Sequence, residues 1–69
     1  MRVKSNLKQL LDDKGYSIRQ FSTKAELPFE TVRRLYNDDT KQYQRDTIAR
    51  VCEVLKVEIQ DLLILVDED

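Results

Sequence analysis

The sequence contains no histidine and only one cysteine. Without imidazoles neither an ordinary zinc cluster nor a histidine acid/base pair can be assembled, and Cys52 alone closes no internal disulfide. No catalytic set, cofactor or metal site is therefore expected, and the chain is not read as an enzyme. Long apolar runs are missing too. The stretch "LLILV" at residues 62–66 is far too short to span a bilayer, and no charged start leads into an apolar run of signal-peptide length. The expectation is a cytoplasmic protein with Cys52 reduced and with no membrane or small-molecule partner.

Net charge is also nearly absent, at −1 from 12 Lys and Arg against 13 Asp and Glu. Its distribution is uneven. Residues 1–50 hold eleven basic and seven acidic side chains and residues 51–69 hold one and six, so the two stretches carry +4 and −5. With 69 residues the chain buries only about 60% of its unfolded surface and supports one core, so a single domain is expected, with its core over about residues 4–63 and an acidic tail over 64–69.

Glycine and proline occur once each, as Gly15 and Pro28, and apolar residues recur at helical spacing almost throughout. The pattern predicts an all-α fold, a compact bundle of five short helices with no strand. Helix one covers about Lys4–Lys14, with Val3, Leu7, Leu10 and Leu11 on one face, and Gly15 ends it in a left-handed conformation. "SIRQ" reads as a capping box between Ser17 and Gln20. Helix two follows over about Ile18–Ala25, burying Ile18, Phe21 and Ala25. Pro28 presets a first helical turn, which forces a tight bend at Glu26 and Leu27 and starts helix three, about Pro28–Tyr36. After the polar "NDDTKQYQ", Ile48, Val51, Cys52 and Leu55 mark the buried stripe of helix four, and a short fifth helix spans about Ile59–Leu63.

On helix three, Val32 and Leu35 share a face and can meet the core, which turns Glu30, Arg33 and Arg34 outward with Phe29 and Thr31 on the flanks. A short helix, a three-residue turn and a second short helix form a helix-turn-helix, whose second helix fits the DNA major groove. There arginine can bond in bidentate fashion to guanine, glutamate can accept from cytosine, and Phe29 can meet a thymine methyl. Plainer readings stand beside this one. Glu30 and Arg34 are spaced as a surface ion pair, which leaves Arg33 unexplained. Phe29 is placed between surface and core. Cys52 reads as a small core residue. The adjacent acids Asp12 and Asp13, and Asp38 and Asp39, read as solvated surface carboxylates rather than a metal or acid/base pair.

The run "SIRQFSTKAELPFETVRRLYNDDTKQYQRDTIARVCEVLKVEIQDLL", extended back through "NLKQLLDDKGY", resembles the Cro and lambda-repressor type of helix-turn-helix domain, the Xre family. The features that match are the serine opening helix two, Ala25 before the turn, Thr31, Val32 and Leu35, the "DTIARVCEVLKV" helix and the closing "DLL". The resemblance implies a lambda-repressor-like bundle in which helix three reads operator DNA. Carried over position by position, it assigns base reading to Phe29, Glu30, Arg33 and Arg34, with Thr31 near the backbone. It assigns phosphate contacts to Ile18 and Arg19 and to Lys41, Gln42, Tyr43 and Arg45, where Lys41 and Tyr43 could equally be ordinary loop residues. The sequence departs from the pattern at Glu26, where many members have glycine, at Pro28 in place of a capping serine, and at Ile18 in place of a polar residue. A left-handed Glu26 would cost about 1–2 kcal/mol.

Two functions follow as expectations. The first is a sequence-specific transcriptional regulator of bacterial or phage type, a repressor, associated with the nucleoid when bound to a double-stranded DNA operator. The second is a protein-interaction module of the same fold, such as an antitoxin or an anti-repressor partner. Ile64, Leu65 and Val66 exceed what one short helix can bury and point to a homodimer through the C-terminal end; the alternative is that they pack intramolecularly or that the segment was cut from a longer regulator.

Overall fold

Leu7, Leu11, Phe21, Ala25, Val32, Leu35, Ile48, Val51, Leu55 and Leu62 come together as one buried cluster to which every helix contributes. The computed structural model describes residues 1–67, and Glu68 and Asp69 at the end of the expected acidic tail lie outside the described residues. The elements run β1 (Arg2–Ser5), α1 (Leu7–Lys14), α2 (Ile18–Ala25), α3 (Phe29–Tyr36), α4 (Arg45–Leu55), α5 (Ile59–Leu62) and β2 (Leu63–Val66). None of these helices is long and apolar enough to cross a membrane.

The five helices arise where the periodicity places them, but the fold is mostly helical rather than all-α. β1 and β2 pair antiparallel in the register Arg2↔Val66, Val3↔Leu65, Lys4↔Ile64 and Ser5↔Leu63, and the Asn6 amide extends the pairing by donating to the Leu62 carbonyl at 2.7 Å. Helix one accordingly starts at Leu7 and not at Lys4, and the fifth helix ends at Leu62. The i, i+4 spacing of Val3 and Leu7 imitates a helix face, yet Val3 lies in β1 and is 42% exposed. Ile64 and Val66 are half-buried in β2, while Leu65, opposite Val3, stays 65% exposed.

Four helices close by the same device. At the end of α1 the Tyr16 amide donates to Leu11 O at 2.9 Å and the Gly15 amide to Asp12 O, with Gly15 at φ 77°. α2 ends likewise through Leu27 N to Ser22 O at 3.0 Å, α3 through Asp39 N to Arg34 O at 2.8 Å, and α4 through Val57 N to Cys52 O at 3.1 Å. In those three the left-handed residue is not glycine: Glu26, Asp38 and Lys56 have φ of 57°, 56° and 58°. Such closures satisfy the carbonyls of the last turn, at a steric cost that glycine would avoid.

Asp38 is not the solvated carboxylate expected from its neighbour Asp39. Its Oδ1 accepts from the Ser5 amide at 2.9 Å and its Oδ2 pairs with Arg2 at 3.0 Å, so it ties the end of α3 to β1. Burial pushes its carboxyl pKa up, but the Ser5 N–H and the Arg2 guanidinium outweigh this and hold it below the usual carboxylate value. Asp12 and Asp13 remain surface groups, accepting from Lys8 at 2.9 Å and from Gln9 at 2.8 Å. Cys52 packs against the core from a half-buried position, and burial raises its thiol pKa, with the nearby acids Asp61 and Glu58 adding to the effect.

Candidate nucleic-acid interface

α2 starts where its cap dictates. Ser17 Oγ accepts from the Gln20 amide at 3.1 Å while Gln20 Oε1 accepts from the Ser17 amide at 2.9 Å. The helix closes at Glu26, the bend passes through the half-buried Leu27, and Pro28, at φ −58° and ψ 138°, delivers the chain into α3 without a side-chain cap. Ile18 packs against the core, so the first residue of α2 offers no polar group.

Val32 and Leu35 anchor α3 in the core, and the opposite side carries Glu30, Arg33 and Arg34 with side chains 41–60% exposed. The ion pairing differs from the spacing argument. Arg33 is the main partner of Glu30, donating from Nε at 3.2 Å and from Nη2, whereas Arg34 Nε stands at 3.7 Å from the same carboxylate. On a helix, i+3 is as close as i+4, so both arginines can reach one acid. The hydrogen bonds from Arg33 hold the Glu30 carboxyl below its ordinary pKa and Glu30 in turn raises that of Arg33. The pair therefore stays ionised through the neutral range.

Phe29 does not enter the core. It is 40% exposed, and the Arg19 guanidinium carbon lies 5.0 Å from its ring centroid, a cation–π contact between the first turns of α2 and α3. Thr31, Arg34, Gln42 and Tyr43 meet along a cleft of about 200 Å³ with Thr40, Gln44 and Thr47, and Lys41 borders an adjoining depression beside Arg34 and Gln42. Tyr43 rests partly on the core, and burial raises its phenol pKa. Thr40 Oγ1 is buried and has no hydrogen-bond partner among the described residues. Arg45 opens α4, whose N-terminus has no side-chain cap. Of the residues expected to touch DNA, Arg19 and Phe29 are thus adjacent, as are Thr31, Arg34, Lys41, Gln42 and Tyr43. Arg33 is turned toward Glu30.

One group was not foreseen. Arg50, on α4, donates from Nε to the Ala25 carbonyl at 2.9 Å, from Nη2 to Glu26 at 3.0 Å and from Nη1 to Glu53 at 3.1 Å. Only the Glu53 spacing is visible in a helix pattern; the bend lies 24 or 25 residues away.

The geometry is that of a helix-turn-helix with a polar, arginine-bearing second helix. The family model for the Cro/C1-type helix-turn-helix DNA-binding domain matches residues 6–68. The chain belongs to this family. A crystal structure of a "putative DNA-binding protein" from Bacteroides fragilis is similar, with a TM-score of 0.77 over 91% of this chain and 100% of that one at 21% identity, a likeness of fold alone. No curated protein matches the sequence. In this Cro/C1-type domain α2 and α3 are the helix-turn-helix pair, and the strand pair is joined to the end of α3 through Asp38.

Proposed function

We propose that this Cro/C1-type domain, residues 1–69 taken as a single unit, is a sequence-specific transcriptional regulator, a repressor, working in the cytoplasm of a bacterial or phage-infected cell. The observation that carries the reading is the outward face of α3: Arg33, Arg34 and Glu30 on a helix fixed by Val32 and Leu35 directly after the bend. In the mechanism α3 enters the major groove, and Phe29, Glu30, Arg33 and Arg34 contact base edges. Arg19, Thr31, Lys41, Gln42, Tyr43 and Arg45 hold phosphates on either side. The Glu30–Arg33 pair has to reorganise for both side chains to reach bases, so part of the specificity comes from sequences that offer each of them a better partner. Neither catalysis nor a cofactor enters this scheme.

A second copy would complete it. The exposed Leu65 next to Val3 favours self-association through Ile64, Leu65 and Val66, which would present two α3 helices about one helical turn apart on one side of the duplex. The same apolar surface also favours the rival reading, an antitoxin-like or anti-repressor-like interaction module.

Selection of duplexes from a random pool tests the proposal directly. Enrichment of a two-fold symmetric site is expected, with binding that falls with salt at a log–log slope of about −0.9 per neutralised phosphate. Failure to shift any duplex at low salt would replace the regulator by the interaction module.

A further inference from the structure

Arg50 lies outside every segment assigned above to DNA, yet its guanidinium spans the bend that aims α3. The carbonyl it binds, that of Ala25, belongs to the last residue of α2. In a continuing helix the Phe29 amide would fill that acceptor, but the bend has carried Phe29 into α3. The same guanidinium reaches the carboxylate of Glu26, the left-handed residue of the bend, and Glu53 one turn along α4. A cation at the C-terminal end of α2 also complements the helix dipole. The Arg50 side chain is 38% exposed and its bond to the Ala25 carbonyl is half-buried, whereas the Glu26 and Glu53 carboxylates are 79% and 72% exposed, so the carbonyl bond is the shielded part of the bridge. α4 packs more closely on α2 than on α3, so α2 and this bend are one route by which the pose of α3 relative to the first turn of α4 is held.

We propose that Arg50 is a positioning residue for DNA reading: it locks the α2–α3 bend onto α4, and so sets α3 in register with the phosphate contacts at Lys41–Arg45. The inference rests on the proposed DNA-binding function. It assigns to one arginine the task that glycine at the bend leaves to backbone geometry, because Glu26 supplies both a strained turn and a carboxylate to fasten it. Arg50 itself touches neither base nor phosphate in this scheme.

The test compares the wild-type chain with Arg50→Ala and Arg50→Lys on the duplex that wild type enriches from a random pool, and on random duplex at low salt. Each titration is run well below the variant's melting midpoint. Arg50→Lys keeps the charge and the stem should the alanine variant fail to fold. Both variants should bind the selected duplex about tenfold more weakly, within the range known for residues that act without touching the ligand. Random-duplex binding and the salt slope should stay near wild type, because no phosphate contact is lost. Lysine should not rescue, since its compact ammonium lacks the planar fork whose three separate nitrogens reach the carbonyl and the two carboxylates. Residual dipolar couplings on the free Arg50→Lys protein should report a changed orientation of α3 relative to α4. Wild-type affinity in both variants, or full rescue by lysine, overturns the assignment while leaving the DNA-binding reading intact. A salt slope reduced by about one unit would place Arg50 on a phosphate instead. If wild-type protein shifts no duplex, the functional reading fails and takes this inference with it.

Discussion

Among the described residues three hold left-handed backbone without being glycine, and their side chains differ in what holds them. Glu26 is tied to Arg50 and Asp38 to Ser5 and Arg2, whereas Lys56 makes no polar side-chain contact among the described residues. Lys56→Gly should accordingly be the cleanest gain, about 0.5–1 kcal/mol in a chemical denaturation series. Glu26→Gly should gain less, because relief of strain is offset by loss of an exposed ion pair worth a few tenths of a kcal/mol. A lower melting midpoint for Glu26→Gly would mean that its pair with Arg50 outweighs the strain. Asp38 makes stability depend on pH. Its folded-state pKa is depressed, so its contribution is present above the unfolded value near 3.8 and is lost as pH falls through the folded value. Asp38→Asn, which tolerates the same backbone, should melt lower than wild type at pH 7, and the gap should narrow as pH falls below the unfolded value near 3.8. Thr40→Val removes a hydroxyl that is buried without a partner, so stability should be unchanged or raised.

At the scale of elements, α2 and α3 were readable because their determinants are local: a Ser–Gln capping box, a proline that cannot continue a helix, and apolar residues three and four apart. The bend at Glu26 was legible for the same reason. The strands were not. "RVKS" and "LILV" define β structure only against each other, and the two segments lie at opposite ends of the sequence, so periodicity assigned Val3 to a helix and Leu63 to another. Asp38 was misread as solvated because its partners, Arg2 and Ser5, arrive through that pairing. The candidate DNA face was legible as a set of residues, while the competition of Arg33 and Arg34 for Glu30 and the bracing by Arg50 required coordinates. Arg34→Ala should weaken specific binding by about 1–3 kcal/mol and relax one base preference, measured by competition with duplexes varied at single positions. On β2, Leu65→Lys should leave the melting midpoint close to wild type and abolish any dimer detected by sedimentation at high micromolar concentration.

Across the whole molecule the charge is sorted. The acidic last nineteen residues begin inside α4 and supply α5 and β2, whereas the basic excess lies in the stretch that includes the helix-turn-helix. Association with DNA should therefore be salt-dependent despite the net charge of −1. The strand pair adds a mechanical property. The first and last strands are laid side by side, with Arg2 opposite Val66 at the open end of the ladder. Tension applied between them would load the rungs one after another, as a zipper is opened, rather than all together in shear. The domain should yield at low force from its seam inward, with Asp38 the first link to α3 to let go.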